Sequence, residues 1–553
     1  MDRVSFARVG AVLASADPYS AWYGELLRQT GLVCEIGSES ILDDPSEYDV
    51  LILCGQGKLT GEQRKGLAEW LAKDGRHVVV TGGFWHGEYL FDIAATGHKY
   101  CRCHLCAPEA VSVLAEDCFG GLFFGGEQAK KLPGEVLALD SHGNPLVSAG
   151  SKVSVFAPHA GMTGALMAMG RGVSTDLVGP CDGSCYTQDG VLRAEDGTVF
   201  LWSDRAQPGE GLDPAFLTPH LDMLREQFLR LVLAGIGRTG LAPALVWHLP
   251  ENHNVACTVD VECDSSLIDH IKTSAALIAR FGLRAAWMVP PPGLPLDVYR
   301  TFKSWGHDIG HLYKPEKHDA STRQVKVQNT ALTRGVGSEL KVMKGWDGAW
   351  FGLTRMYALA EETGAVAMLS KGGRQPGTAG FLFGTGRPFV PVTHDAKFQV
   401  VEIPAVSFAP GWVTPFQTTM YLAQRIQRFN GTFRFDFLTS HAAESRFELN
   451  LPQMLRGLIE LGYKAFSPSE LAKFELARRR LSYRVDRGQL TLKCGDSVRG
   501  LTLLVGADAP MRVRGHQANP ARCERYGREW AAIVFDLDAR LPVEVEADPR
   551  AVA

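Results

Sequence analysis

The 553-residue sequence lacks the features that would place it in a membrane or on nucleic acid. It has no uninterrupted run of about eighteen apolar residues, so no membrane span is expected. Its formal net charge is only −4, which gives no reason to expect nucleic acid or an anionic membrane surface as a partner. The residues after Met1 also lack a basic start leading into a long apolar core, so we predict no export signal and a cytoplasmic location.

Cysteine is too scarce for a disulfide scaffold, with 12 residues in the whole chain. The closest spacing is that of Cys101, Cys103 and Cys106, beside His98 and His104. Zinc or a local disulfide is an alternative there. However, the spacing lacks the paired Cys-x-x-Cys knuckles of structural zinc sites, and we predict free thiols.

The composition is 45% hydrophobic and 21% charged, which indicates a globular chain of two to four domains. We predict an α/β fold in three parts. Residues 1–240 form a doubly wound, flavodoxin-like domain, residues 246–480 a distorted (β/α) barrel, and residues 481–553 a small β-sandwich. The sequence leaves the oligomeric state open.

The first part alternates apolar strands, such as 50–54 and 77–80, with helices at 21–29 and 62–73, which predicts parallel βαβ units. Residues 197–204 are predicted to be a returning strand. The run 78–83, Val-Val-Val-Thr-Gly-Gly, resembles the approach to the nucleophile turn of class I glutamine-amidotransferase-like domains. Active members carry a Cys in that turn, whereas this chain has Gly82 and Gly83. A working amidotransferase is therefore not expected.

The central part carries three acids at alternate positions, Asp260, Glu262 and Asp264, at the end of a β-branched run. Residues at i, i+2 and i+4 of a strand share one face, so these carboxylates can converge at the end of a sheet. Two histidines, His311 and His318, follow the next Gly-rich turn. Carboxylates with imidazoles are ligands for a divalent metal. For Asp264, an alternative is capping of the helix predicted at 267–281.

The central part resembles the polysaccharide deacetylases. Residues 258–264 resemble the family's first motif, 306–310 (Gly-His-Asp-Ile-Gly) its second, 400–404 its Glu-x-Pro strand, and 435–441 its late strand ending in His441. The motifs occur in the family's order. The family's metal histidine stands two residues after Gly310, where this chain has Leu312, and a slip of one residue turns a side chain to the other face of a strand.

The resemblance implies removal of an N-acetyl group from a carbohydrate by metal-activated water, with the site at the carboxyl ends of the barrel strands. Asp260 would be the general base and His441 the general acid. Glu262 or Asp264, with His311 and His318, would hold the metal, for which Zn²⁺ is the expectation. Aromatic and cationic residues are predicted to contact the sugar, with ordinary core and surface roles as the alternative: Trp346, Trp350, Phe383, Lys371 and Arg387.

Two other functions stay open. The displaced histidine, the missing elbow Cys and the absence of a recognisable arginine motif favour an inactive carbohydrate-binding or scaffold protein of polysaccharide biosynthesis. Hydrolysis of a small non-sugar amide is the other alternative, because fold does not fix substrate.

Overall fold

The protein has a mixed α/β fold with a curled parallel sheet at its centre. The computed structural model describes residues 5–108, 113–264, 267–315, 321–486, 489–506, 511–513, 516–517, 520–539 and 541–547.

The first part is built on a seven-stranded sheet whose core is parallel. The central strands are short, wholly apolar runs, as expected of strands covered on both faces. The strand order is β2-β1-β3-β4-β11-β10-β9, in which β10 runs antiparallel to β11 and β9, and the strand pairs β5-β8 and β6-β7 form two small antiparallel sheets. The bounds are β1 Val9–Leu13, β2 Glu35–Gly37, β3 Val50–Cys54, β4 His77–Thr81, β5 Ala94–Lys99, β6 Arg102–His104, β7 Leu122–Phe124, β8 Glu127–Lys131, β9 Glu135–Leu139, β10 Pro145–Ala149 and β11 Val153–Phe156.

The helices of this part are α1 Ser20–Thr30, α2 Gly61–Ala72, α3 Glu88–Phe91, α4 Ala160–Gly164 and α5 His220–Arg238. The strand predicted at 197–204 is wrong, since that stretch contains two 3₁₀ turns, Ala194–Gly197 and Trp202–Asp204. The Asp204 carboxylate accepts a hydrogen bond from the Leu201 N–H at 2.7 Å, a local bond that competes with strand pairing. Within the part of the chain that the structure describes, no helix is both long and apolar enough to span a bilayer.

The central sheet has the order β18-β17-β16-β15-β14-β13-β20-β19, all parallel, and β21 also pairs with β13. It curls so that one face becomes an inner wall. The bounds are β13 Ala256–Glu262, β14 Ala285–Val289, β15 Asp308–Tyr313, β16 Val342–Gly345, β17 Ala367–Met368, β18 Val401–Glu402, β19 Ser407–Phe408, β20 Thr432–Leu438 and β21 Lys464–Ala465.

Helices cover the outer face of the curled sheet, where the apolar residues of each strand face them. On β20, Phe433, Phe435 and Phe437 belong to the same core cluster as Leu451 and Leu455 of the covering helices. The intervening residues of β20 therefore face inward. The helices are α6 Ile268–Arg280, α7 Leu296–Ser304, α8 Thr322–Val336, α9 Arg355–Glu362, α10 Phe416–Arg428, α11 Ser445–Glu460 and α12 Pro468–Arg479.

The C-terminal part consists of two antiparallel sheets that share one apolar core, which includes Leu492, Leu503 and Val545. One sheet recruits β12 from the stretch that joins the first two parts, since Leu245 pairs with Leu504. The bounds are β12 Ala244–Val246, β22 Ser482–Asp486, β23 Gln489–Lys493, β24 Val498–Val505, β25 Met511–Val513, β26 His516–Gln517, β27 Ala521–Arg525, β28 Arg528–Leu537 and β29 Val543–Ala547.

Candidate functional site

Three buried carboxylates converge on the inner wall of the curled sheet. β13 supplies Asp260 and Glu262 from alternate positions, and Asp436 of the neighbouring β20 lies directly opposite Asp260 in the parallel register. All three side chains are buried. The alternation of polar residues with Val259 and Val261, which pack outward, gives both acids the same inward direction.

A lysine ammonium lies at the centre of these carboxylates. Lys344 of β16 places its Nζ 2.7 Å from an oxygen of Asp260, 2.8 Å from one of Glu262 and 2.5 Å from one of Asp436. The Lys344 side chain is buried, and although burial lowers its pKa, the three carboxylates together hold the pKa above its ordinary value. Lys344 is therefore a permanent cation of the inner wall.

Two arginines complete the charge network around the same acids. Arg374 donates from Nη1 to Glu262 at 2.6 Å and to Asp436 at 2.9 Å. Arg434 donates from Nε to Asp260 at 2.7 Å and from its other nitrogens to main-chain carbonyls of the neighbouring strand ends. Burial raises the pKa of Asp436, but Lys344, Arg374 and Arg434 outweigh burial and hold that pKa below its ordinary value.

The donor set does not fit a divalent metal ion. Both oxygens of Asp260 and both of Glu262 already accept hydrogen bonds from the protein. On the inner wall itself, three buried acids face three buried bases: Asp260, Glu262 and Asp436 against Lys344, Arg374 and Arg434. Adding a dication would place two uncompensated charges in a buried position. Among the residues that the structure describes, no group of three or more His, Cys, Asp or Glu is arranged to hold a metal.

His311 lies on the opposite face of its strand from these acids. Leu312 pairs with Lys344 across β15 and β16, so Leu312 shares the inner wall and His311 points outward. There the His311 Nε2 lies 3.3 Å from the Gln328 side-chain oxygen, and burial lowers the pKa of the imidazole to about 4. His318 lies outside the described residues. The structure therefore brings Asp260 and Glu262 together but does not bring His311 to them.

Asp264 and His441 lie just beyond the carboxyl ends of β13 and β20. We call the edge of the curled sheet formed by the carboxyl ends of its strands the mouth. The Asp264 carboxylate accepts hydrogen bonds from the Thr439 hydroxyl at 2.9 Å and from the Ser440 N–H at 3.0 Å. Asp264 does not cap the helix that follows, because the N-cap residue of that helix is Leu267. His441 is held through Nδ1, which accepts the Leu438 N–H at 3.3 Å, and burial lowers the pKa of the imidazole to about 4 despite the opposing effect of Asp264.

Of the residues predicted to contact a sugar, only Trp346 lies at the mouth, directly after β16. Its ring is half-buried, with the Lys314 Nζ 4.5 Å from the ring centroid. Trp350 is fully buried beneath the Lys371 ammonium, which also contacts the ring of Phe383. Arg387 is buried where the curled sheet meets the C-terminal part, and it donates to the Phe429 carbonyl and the Tyr526 hydroxyl.

Sequence reasoning did not identify the residues that pair with the acids or a second aromatic at the mouth. Trp412 follows β19, is 41% exposed and lies 4.5 Å from His441, ring centroid to ring centroid. A signal for Arg434 and Asp436 was present in the run Thr-Phe-Arg-Phe-Asp-Phe, where charged residues alternate with phenylalanines. A charge at every second position of a buried strand indicates a polar inner face.

The turn at Gly82 and Gly83, where the sequence predicted an amidotransferase-like turn without its Cys, is packed against neighbouring side chains. Gly82 has φ +79°, and a Cβ on it would lie 2.1 Å from the Tyr23 hydroxyl. His159 nearby is fully engaged, because its Nε2 lies 2.9 Å from the Asp17 carboxylate and its Nδ1 accepts the Met162 N–H. This imidazole has no free nitrogen for proton transfer.

No protein-family model and no curated protein sequence matches the chain. Among solved structures it is similar to Agd3, described as a carbohydrate deacetylase, with a TM-score of 0.42, 10% identity and coverage of 99% of both chains. A putative polysaccharide deacetylase from Mycobacterium smegmatis aligns with a TM-score of 0.30 and 12% identity, over 42% of this chain and 93% of that one. BA3943, a CE4 family pseudoenzyme from Bacillus anthracis, aligns with a TM-score of 0.26 and 12% identity, over 40% and 66%. These neighbours are deacetylases or deacetylase-related, but the scores are too low to assign the chain to a family.

Proposed function

We propose that the chain binds carbohydrate at the mouth of the curled sheet without carrying out metal-assisted deacetylation. One observation carries the proposal: the Lys344 ammonium contacts all three carboxylates of the inner wall, including Glu262, which the sequence predicted to be a metal ligand. A buried ion pair of this kind is costly to break, because removing either partner leaves an uncompensated charge. The acids are therefore committed to holding the inner wall together.

The carbohydrate class is supported by the side chains at the mouth and by the motif resemblance of the central part. Trp412 is 41% exposed and its ring lies 4.5 Å from that of His441, so it offers an aromatic face at the mouth. Trp346 and the carboxylates of Asp264 and Asp347 follow strands β16 and β13 of the same parallel sheet. Aromatic faces with a few polar groups suit a polyhydroxylated ring.

Deacetylase-type hydrolysis is the second candidate, and one observation favours it. His441 is fixed through Nδ1, whereas its Nε2 has no hydrogen-bond partner among the described residues. A neutral imidazole that accepts at Nδ1 carries its proton on Nε2, and this N–H can donate a hydrogen bond to the oxygen of an acetamide carbonyl during hydrolysis. An acetylated sugar is the expected substrate, and a small non-sugar amide is the alternative.

Three measurements on the protein purified without chelator distinguish the two candidates. Metal content is determined by mass spectrometry, binding of chito-oligosaccharides and other acetylated oligosaccharides by calorimetry, and acetate release by a coupled assay. We expect saturable binding, metal far below one equivalent and no acetate release. Near-stoichiometric metal, with acetate release that is lost in both Asp260→Asn and His441→Ala, would instead establish the hydrolase.

A further inference from the structure

Asp347 has a left-handed backbone. It lies between Trp346 and Gly348, directly after β16, and has φ +50°. Asp adopts this conformation more readily than most residues with a Cβ, and here Arg193 holds both the carbonyl and the carboxylate of Asp347. The Asp347 side chain is 38% exposed, so it reaches the mouth although its backbone is fixed.

Two arginines from different parts of the chain hold the Asp347 carboxylate. Arg374 of the central part donates from Nε to Oδ1 at 3.1 Å. Arg193 of the first part donates from Nη2 to Oδ2 at 2.5 Å and from Nε to the Asp347 carbonyl at 3.0 Å. Burial acts to raise the pKa of Asp347, but Arg374 and then Arg193 outweigh it and hold the pKa below its ordinary value.

Arg193 belongs to a segment of the first part that lies across the ends of the central strands; we call residues 173–198 the strap. Val173 pairs with Gly352, and the Trp350 N–H donates to the Leu192 carbonyl at 3.0 Å. Glu195 accepts the Arg374 N–H at 2.8 Å. The strap therefore holds Asp347 directly through Arg193, and it also positions the backbone of Arg374, the second arginine that contacts Asp347.

We propose that Asp347 accepts hydrogen bonds from the hydroxyl groups of the bound sugar, and that the strap is part of the ligand site because Arg193 positions Asp347. This inference rests on the proposed function. An ionised carboxylate has about four lone-pair positions, and the two arginines use one on each oxygen. Asp347 directly follows Trp346 in the chain and its side chain is 38% exposed, so the remaining positions can accept hydrogen bonds from the hydroxyls of a pyranose bound at the mouth.

Asp347→Asn is the direct test, since it keeps the size of the side chain and replaces one acceptor oxygen with a donor. Asp117→Asn is the matched control, because Asp117 is 43% exposed and also pairs with an arginine, Arg428, at the opposite end of the strands. Binding of tetra-N-acetylchitotetraose and of a panel of other oligosaccharides is measured by calorimetry. We expect the best ligand to bind at least about 10-fold more weakly to Asp347→Asn and unchanged to Asp117→Asn.

The strap is tested with Arg193→Ala and Arg193→Lys, the first expected to weaken binding several-fold and the second to recover part of the loss. These variants also carry the test if Asp347→Asn fails to fold, because they leave Asp347 in place. Unchanged affinity in a folded Asp347→Asn, or in Arg193→Ala, would overturn the inference and leave the proposed function intact. A parent protein that binds no member of the panel would overturn the proposed function, and the inference with it.

Discussion

Replacement of Lys344 by Met removes the central cation of the inner wall and leaves three buried carboxylates around an apolar side chain. The inner wall then has three buried acids against two buried bases. Breaking a buried pair by removing one partner costs about 3–5 kcal/mol, because the remaining charge has lost both water and its partner. The three contacts of Lys344 share one charge, so we expect a loss in this range rather than three times as much.

The assay is calorimetric unfolding of the full chain, with Lys341→Met as the matched control. Lys341 lies three residues earlier and pairs with Glu339, which is 77% exposed, so this bridge contributes at most about 1 kcal/mol. The unfolding entropy of a chain of 553 residues is about 1.2 kcal/mol/K, so a loss of 3–5 kcal/mol lowers the midpoint of full-chain unfolding by about 3–4 °C. The control is expected to shift it by about 1 °C or less.

A second substitution separates charge balance from packing. Lys344→Met with Asp436→Asn restores equal numbers of acids and bases, so we expect the double variant to regain part of the lost stability. The reasoning is refuted if Lys344→Met unfolds within about 1 °C of Lys341→Met, or if Asp436→Asn adds its own full loss to that of Lys344→Met.

Three further predictions concern the histidine outside the wall, the arginine inside it and metal removal. The pKa of His311 is about 4 in the folded protein and about 6.5 in the unfolded chain, so the unfolded chain binds the extra proton and the unfolding free energy falls as pH drops through this window. His311→Gln should flatten this slope by up to about 1.4 kcal/mol per pH unit near pH 5 in denaturant titrations, and an unchanged slope would contradict the placement of His311. Arg434→Lys should cost about 3–5 kcal/mol, since Lys cannot make the bonds to Asp260 and to the main-chain carbonyls together, whereas Arg484→Lys at an 81% exposed position should change nothing measurable. Treatment with a chelator should leave the calorimetric midpoint of the parent unchanged, and a fall of several degrees would reveal a structural metal.

Much of the fold follows from local pattern, because buried parallel strands are continuous apolar runs. The predicted strands at 50–54 and 77–80 correspond to β3 and β4, and the alternating run that ends at Asp264 corresponds to β13. The pairing of β12 with β24 joins residues about 260 positions apart and has no local signal. The same is true of the strap, whose contacts are made by turns and single side chains.

Only part of the candidate site was predictable from the sequence. Residues that share one strand could be assigned to one face, whereas residues that come from different strands could not be brought together. Alternation placed Asp260 and Glu262 on one face, since both lie on a single strand. Lys344 stands on another strand, and its arrival at the same point depends on the order β16-β15-β14-β13 and on the curl of the sheet. A lone lysine in the run Val-Met-Lys-Gly gives no indication of which acids it will meet.

The positions of His311 and Lys344 explain why the inner wall is not arranged as a metal site. Residues of β15 reach the inner wall at the parity of Asp308, Gly310 and Leu312. Asp308 starts the strand and is bonded to Ser469, and the two residues nearer the carboxyl end, Gly310 and Leu312, have no side-chain ligand atom. Three converging carboxylates without a partner would repel one another in a low dielectric and would destabilise the sheet. A lysine on the next strand supplies the missing charge through the covalent chain, with no dependence on metal concentration. Leu312→His would therefore bring an imidazole to the wall without creating a metal site while Lys344 remains, and only the double variant Leu312→His with Lys344→Ala is expected to bind a divalent ion measurable by calorimetry.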